Sequence, residues 1–192
     1  MAVYFTADTH FGHDNIIKYC KRPFHNAAEM NETIFAAWTA LVRKDDTVYH
    51  LGDVAFGSEE AVARIVERIK NLPGRKFLIP GNHDHRYPEL LARAFDEVLP
   101  PLWEMSAPVG GGETARIALC HYPLLTWKGA FRGALHFHGH VHGRIPENKR
   151  RIDVGVDAWG FAPARLESIV QRMRSAPDWV NPEPGRGDED ED

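Results

Sequence analysis

The sequence predicts an α/β fold of two packed mixed β-sheets flanked by helices, an αββα sandwich. Three observations carry this. In the first half, short runs of β-branched and aromatic residues alternate with stretches of helical periodicity. The second half is mostly strand-like. Each early strand-like run ends in a polar loop, as in α/β sheets whose loops converge on a ligand crevice.

Taken in order, residues 3–7 (Val-Tyr-Phe-Thr-Ala) read as a strand that stops at Asp8-Thr9-His10. Met30, Ile34, Trp38, Leu41 and Val42 fall at helical spacing, so 28–43 predicts a helix with one apolar face. Residues 47–51 form a strand terminated by Gly52-Asp53. Ser58, followed by Glu59 and Glu60, starts a helix whose stripe is Ala61, Val62, Ile65 and Ile69; the hydroxyl can cap and the carboxylates sit at the positive end of the dipole. Pro73-Gly74 stops it. Residues 76–79 are a strand running into Pro80-Gly81-Asn82-His83-Asp84, with a helix beginning near Arg86. Further strands are expected at 115–120, about 135–138 and 151–156, a flexible hairpin turn at Gly110 to Gly112, and a last helix near 163–174.

A chain of 192 residues with 43% hydrophobic and 26% charged residues suits one core, and excludes a disordered or collagen-like chain. Residues 1–176 read as one domain and 177–192 as an acidic, Pro- and Gly-rich mobile tail. Seven acids against Arg186 give 178–192 a charge of −6; the whole chain is at −4, so the body stands at +2. That near-neutral body argues against strong duplex nucleic-acid binding. With no membrane-length apolar stretch and no secretory pattern, the cytoplasm is the expected location and no membrane partner is expected. Oligomeric state is not legible. Cys20 and Cys120 lack Cys-x-x-Cys spacing and read as two buried free thiols.

Eleven histidines are the unusual feature. The strand-end loops carry Asp8, His10, Asp53, Asn82, His83, Asp84 and His121, and the loop after 135–138 adds His140 and His142. Carboxylate, imidazole and amide oxygen together suit borderline and hard divalent cations, manganese first, with iron, zinc or cobalt as alternatives. The set exceeds what one tetrahedral ion requires, which implies two ions.

The ordered motifs Asp8-x-His10, Gly52-Asp53, Gly81-Asn82-His83-Asp84, His121 and Gly139-His140-x-His142 resemble those of the calcineurin-like metallophosphoesterase superfamily. The resemblance covers residues 8–142 and is highly specific as a joint pattern, although Gly-Asp alone or Asp-x-His alone would be weak. It implies that Asp8, His10 and His142 bind one metal, that Asn82, His121 and His140 bind a second, and that Asp53 bridges both. It further implies a metal-bridging hydroxide as nucleophile, His83 as a non-ligand proton donor to the leaving oxygen, and Asp84 as the residue that orients His83. A cap for the helix near Arg86 is the plainer role for Asp84.

Some relatives continue Gly-Asp into an Asp-Arg or Asn-Arg pair that grips phosphate, whereas this chain reads Gly52-Asp-Val-Ala-Phe-Gly57. The missing guanidinium favours the compact phosphodiesterase-type branch, acting on small phosphodiesters such as cyclic nucleotides or nucleotide-like esters. A nuclease or nucleotide pyrophosphohydrolase with the same metal centre is the alternative, and a non-catalytic metal-binding scaffold a more distant one. His50, His136 and His138 read as packed residues that orient ligands. His13 is explained equally well by turn chemistry from Gly12, Asp14 and Asn15. Trp127, Lys128, Phe131 and Arg132 could line a substrate edge, stacking a base and pairing phosphate; Arg22 with Phe24 has the same status on weaker grounds.

Overall fold

The computed structural model describes residues 1–182. Strands β1 (Val3–Thr6), β2 (Thr47–His50), β3 (Arg75–Leu78) and β4 (Glu97–Val98) run parallel in the order β4-β3-β2-β1, and β9 (Ala164–Arg165) closes antiparallel on β1. The second sheet has the order β5-β6-β7-β8, from β5 (Leu102–Gly110), β6 (Glu113–Cys120), β7 (Leu135–His138) and β8 (Arg151–Asp153). Its β5-β6 pair is antiparallel and the others parallel, so both sheets are mixed.

Period-two alternation sorts the first sheet's side chains between two cores. Tyr4, Val48 and Leu78 pack with helices α2 (Ala27–Leu41) and α3 (Glu59–Lys70), through Met30, Ile34, Trp38, Val62, Ile65 and Ile69. Phe5, Tyr49 and Phe77 turn the other way onto Ile117, Leu119, Phe137 and Ile152 of the second sheet. Phe5 meets Phe137 edge-on at 4.9 Å. Helix α5 (Leu166–Arg174) adds Ile169 and Met173 to this inter-sheet core. Caps behave as the residue types require: Asn26 accepts from the Glu29 N–H and Ser58 from that of Ala61.

The architecture is the expected one, with differences at short elements. β5 escaped the sequence reading because Pro108 and Gly110 are poor strand formers; it is an edge strand, where a missing N–H is tolerated. The glycine hairpin turn joins it to β6 as expected. Asp14 opens a short helix, α1 (Asp14–Cys20), instead of a turn. A 3₁₀ turn occupies Asp84–Arg86, and α4 (Pro88–Ala92) begins at its proline. The strand expected at 151–156 stops at Asp153, since Gly155 bridges to Ala7 in the first sheet. Cys20 is only half-buried, and both thiols are free.

The outer face of the second sheet is covered by the segment after β6, where Trp127 packs with Ala118, Ala130 and Ala134. The first tail residues dock there too: Trp179 lies against Trp127 and Phe131, and Asp178 pairs with Lys149. The acidic stretch read as a mobile tail, Glu183 and Asp188 to Asp192, lies outside the described residues. Among those described, no helix is long and apolar enough to cross a membrane.

Sheet hydrogen bonding continues past the strand ends. Leu51 N–H donates to Thr6 O (2.7 Å), Asp8 N–H to Gly52 O (2.9 Å), His10 N–H to Asp53 O (3.1 Å) and Gly139 N–H to His121 O (3.0 Å). The loops after β1 and β2 are thereby tied together, as are those after β6 and β7, and bonds from His140 N–H to Asp8 Oδ2 and from His121 Nδ1 to Leu51 O join the two pairs into one crevice.

Candidate metal centre

Five of the seven candidate ligands hold a left-handed backbone: Asp8, His10, Asp53, His140 and His142 have φ between 48° and 70°. For non-glycine residues this costs roughly 1–2 kcal/mol each, and such strain collects at functional sites. The neighbouring glycines serve close approach. A Cβ on Gly52 would collide with the Gly81 backbone, one on Gly81 with Asp53, and one on Gly139 with the Asp8 carboxylate. This is why Gly precedes Asp53, Asn82 and His140.

Asp53 sits at the middle. Its Oδ1 accepts from His83 N–H at 2.9 Å, while Oδ2 lies 3.6 Å from His10 Nε2, 3.6 Å from His121 Nε2 and 4.0 Å from His83 Nε2. On one side Asp8, His10 and His142 present ligand atoms close enough to share an ion; on the other, Asp8 and Asp53 do so with His121. Asn82 Oδ1 stands 2.9 Å from His121 Nε2, and the His140 ring is 5.1 Å from that of His121.

The donor atoms fit divalent cations. Asp8 Oδ2 accepts from His140 N–H (2.9 Å), but the buried Asp8 Oδ1 and His10 Nε2 have no hydrogen-bond partner. Buried polar atoms are rarely left so. His121 Nδ1–H donates to Leu51 O (2.6 Å), so its Nε2 carries a lone pair that faces the Asn82 oxygen. Two acceptors this close are reconciled by a shared proton or metal ion, or by the Asn82 amide turned to present its N–H. Burial pushes the Asp8 carboxyl well above its ordinary range and the His10 imidazole well below; His13 and His140 are also lowered, chiefly by burial. His142 goes the other way. Burial opposes its charge, but hydrogen bonds to Asp157 and Cys20 and the charge of Asp8 outweigh it and lift the group to about 10.

Asp157 is a residue the sequence reading missed. Its Oδ2 accepts from His142 Nδ1 (2.8 Å) and from Arg22 (2.7 Å), the arrangement that orients a metal-binding imidazole and leaves Nε2 facing inward. The available signal was its place just past a second-sheet strand. Arg22 itself corrects an expectation. It is buried and donates to Asp8 O, Thr9 O and Asp157, bracing the first loop from beneath instead of lining a substrate edge.

Asp84 is the second correction. It was expected to orient His83, but Oδ2 accepts from Asp53 N–H and Gly81 N–H (both 2.8 Å) and Oδ1 from Val54 N–H (2.9 Å). The carboxylate clamps two loops together. Trp127 is the third: it is buried and its indole N–H donates to Ala134 O, so it does not stack a base. Lys128, paired with Glu104, and Arg132 are exposed on that flank.

The packed histidines have defined roles. His50 Nδ1 accepts from Gly52 N–H, so its Nε2–H donates to Thr9 Oγ1, which donates to Val54 O. His136 Nδ1–H donates to Ala118 O while Nε2 accepts from Leu124 N–H, pinning the segment after His121. His138 bonds Gly139 O. Burial depresses all three, to about 4, about 3 and about 4 respectively.

A family model described as calcineurin-like phosphoesterase matches residues 1–144. Protein MJ1445 of Methanocaldococcus jannaschii, described as uncharacterized, is 31% identical over 176 residues, covering 88% of this chain and 89% of its own. The Gene 66 protein of Mycobacterium phage L5 is 30% identical over 191 residues, covering 85% and 90%. Among solved structures, the protein of unknown function AQ665 from Aquifex aeolicus matches with a TM-score of 0.69 at 28% identity, covering 90% of this chain and 99% of that one.

Proposed function

The chain belongs to the calcineurin-like phosphoesterase family, and from that premise we propose that it is a phosphodiesterase acting on small phosphodiesters, cyclic nucleotides or nucleotide-like esters. Two divalent cations, manganese first, would be held by Asp8, His10 and His142 on one side and by Asn82, His121 and His140 on the other, with Asp53 serving both. The observation that best supports this is the meeting of unpartnered lone pairs in a buried crevice, Asp8 Oδ1 and His10 Nε2 above all. When bound, the cations supply Lewis acidity toward phosphoryl oxygens and lower the pKa of a water to near neutrality.

The chain's residues supply placement and a proton. Asp53 Oδ2, equidistant from His10 and His121, sets the spacing of the two halves. Asp157 and the Leu51 carbonyl fix the tautomers of His142 and His121, so that each presents Nε2. His83 is exposed at the rim with its backbone N–H anchored on Asp53, and it donates its proton to the leaving alkoxide oxygen. The near-neutral body supports a small substrate over a duplex.

Metal stoichiometry measured beside hydrolysis of bis-p-nitrophenyl phosphate tests the reading. His83→Ala is expected to keep both metals and lose roughly 100- to 10,000-fold in kcat. Metal loading without turnover of any ester would overturn the enzymatic reading, and cleavage confined to polynucleotides would replace the small substrate.

A further inference from the structure

Three histidines surround one phenylalanine beside the metal centre. Half-buried Phe56 stacks on His13 at 4.1 Å with 13° between planes, on His10 at 5.0 Å with 21°, and lies against His83 at 4.7 Å. His10 and His83 have places in the proposed reaction; His13 has none. It occupies the N-cap of α1, where Ser, Thr, Asp or Asn would satisfy a free N–H, yet its side chain makes no capping bond. The half-exposed ring is applied to Phe56 instead.

The hydrogen-bond chain fixes its tautomer. His10 Nε2 faces the Asp8 and Asp53 carboxylates and needs its lone pair for a cation. The His10 proton therefore sits on Nδ1, 3.4 Å from His13 Nδ1, which accepts it. His13 then carries its own proton on Nε2.

We propose that His13 is a substrate-binding residue whose Nε2–H donates to a non-bridging oxygen of the phosphoryl group, with Phe56 holding its ring beside His83. The ligand class is a phosphoryl oxyanion, and the assignment rests on the phosphoesterase reading. It also accounts for the donor at this rim, since Arg22 is buried beneath Asp8 and committed to Asp157.

His13→Phe keeps a stacked ring and removes both nitrogens, whereas His13→Gln returns an amide N–H near the place of Nε2. Calorimetric titration of inorganic phosphate into the manganese-loaded protein is compared with KM and kcat for bis-p-nitrophenyl phosphate and with metal content. His13→Phe should weaken phosphate binding roughly 10- to 100-fold, the range for one hydrogen bond to a charged group. KM should rise more than kcat falls, His13→Gln should recover most of the loss, and both metals should stay. Equal phosphate affinity in wild type and His13→Phe overturns the assignment and leaves the reaction standing. Loss of metal in His13→Phe without rescue in His13→Gln also overturns it, because His13 would then act only by placing His10. A wild-type protein that loads metal but neither binds phosphate nor cleaves the diester overturns both.

Discussion

Replacing Asp84 by Asn separates a clamp from a helper of His83. The buried carboxylate accepts three backbone N–H groups, from Asp53 and Gly81 at 2.8 Å on Oδ2 and from Val54 at 2.9 Å on Oδ1. Asparagine has one acceptor oxygen. It can keep the Oδ2 pair or the Oδ1 bond but not both, and its NH₂ then faces an N–H. Hydrogen bonds to charged groups contribute about 1.5–3 kcal/mol, and a buried unsatisfied donor costs about 1–3 kcal/mol. A loss of about 3 kcal/mol follows, which at about 2–4 °C per kcal/mol lowers Tm by about 6–12 °C. The two loops carry Asp53 and Asn82, so manganese affinity should fall roughly 10- to 100-fold, as for other residues that support metal ligands. Thermal denaturation of the metal-free protein and calorimetric titration with manganese measure both. A Tm within about 2 °C of wild type, with unchanged manganese affinity and a reduced kcat, would refute the clamp and restore Asp84 as the orienting partner of His83.

Asp157→Ala removes the partner of buried Arg22 and of His142 together. Leaving a buried charge uncompensated costs about 3–5 kcal/mol, and one of the two metals should bind more weakly; chemical denaturation with metal analysis checks this, and wild-type values in both would contradict it. Acid should destabilise the fold before the exposed carboxylates titrate. His50, His136 and His138 have folded values of about 4, about 3 and about 4 against 6.5 unfolded. The unfolded chain therefore binds more protons, and stability that is complete above 6.5 is lost as pH falls through that window. Each group contributes up to about 1.4 kcal/mol per pH unit, so urea midpoints should drop steeply between pH 7 and pH 5; a constant midpoint would show that these histidines are not held neutral.

Much of the candidate site was legible because polar residues that directly follow a strand can only lie at the carboxyl edge of its sheet. Asp8, Asp53, His121 and His140 each stand within three residues of a strand end, and the order of their motifs did the rest. The same reasoning failed for Arg22, Asp84 and Trp127. Residue type near a ligand motif suggested contact with substrate for Arg22 and Trp127 and orientation of His83 for Asp84, but burial and hydrogen bonding place all three in the framework. β5 was illegible for a different reason: an edge strand holds a proline without penalty, so local propensity points away from it.

Periodicity and turn residues determined the element types from sequence alone, together with the kind of chemistry the strand-end residues can perform, because those are properties of neighbouring positions in the chain. Partnership is not. Arg22 meets Asp157 across 135 positions and His140 meets Asp8 across 132. Only the folded backbone decides which lone pairs stay unpartnered beside them, and it is those orphaned atoms that turn a list of polar residues into a place for cations.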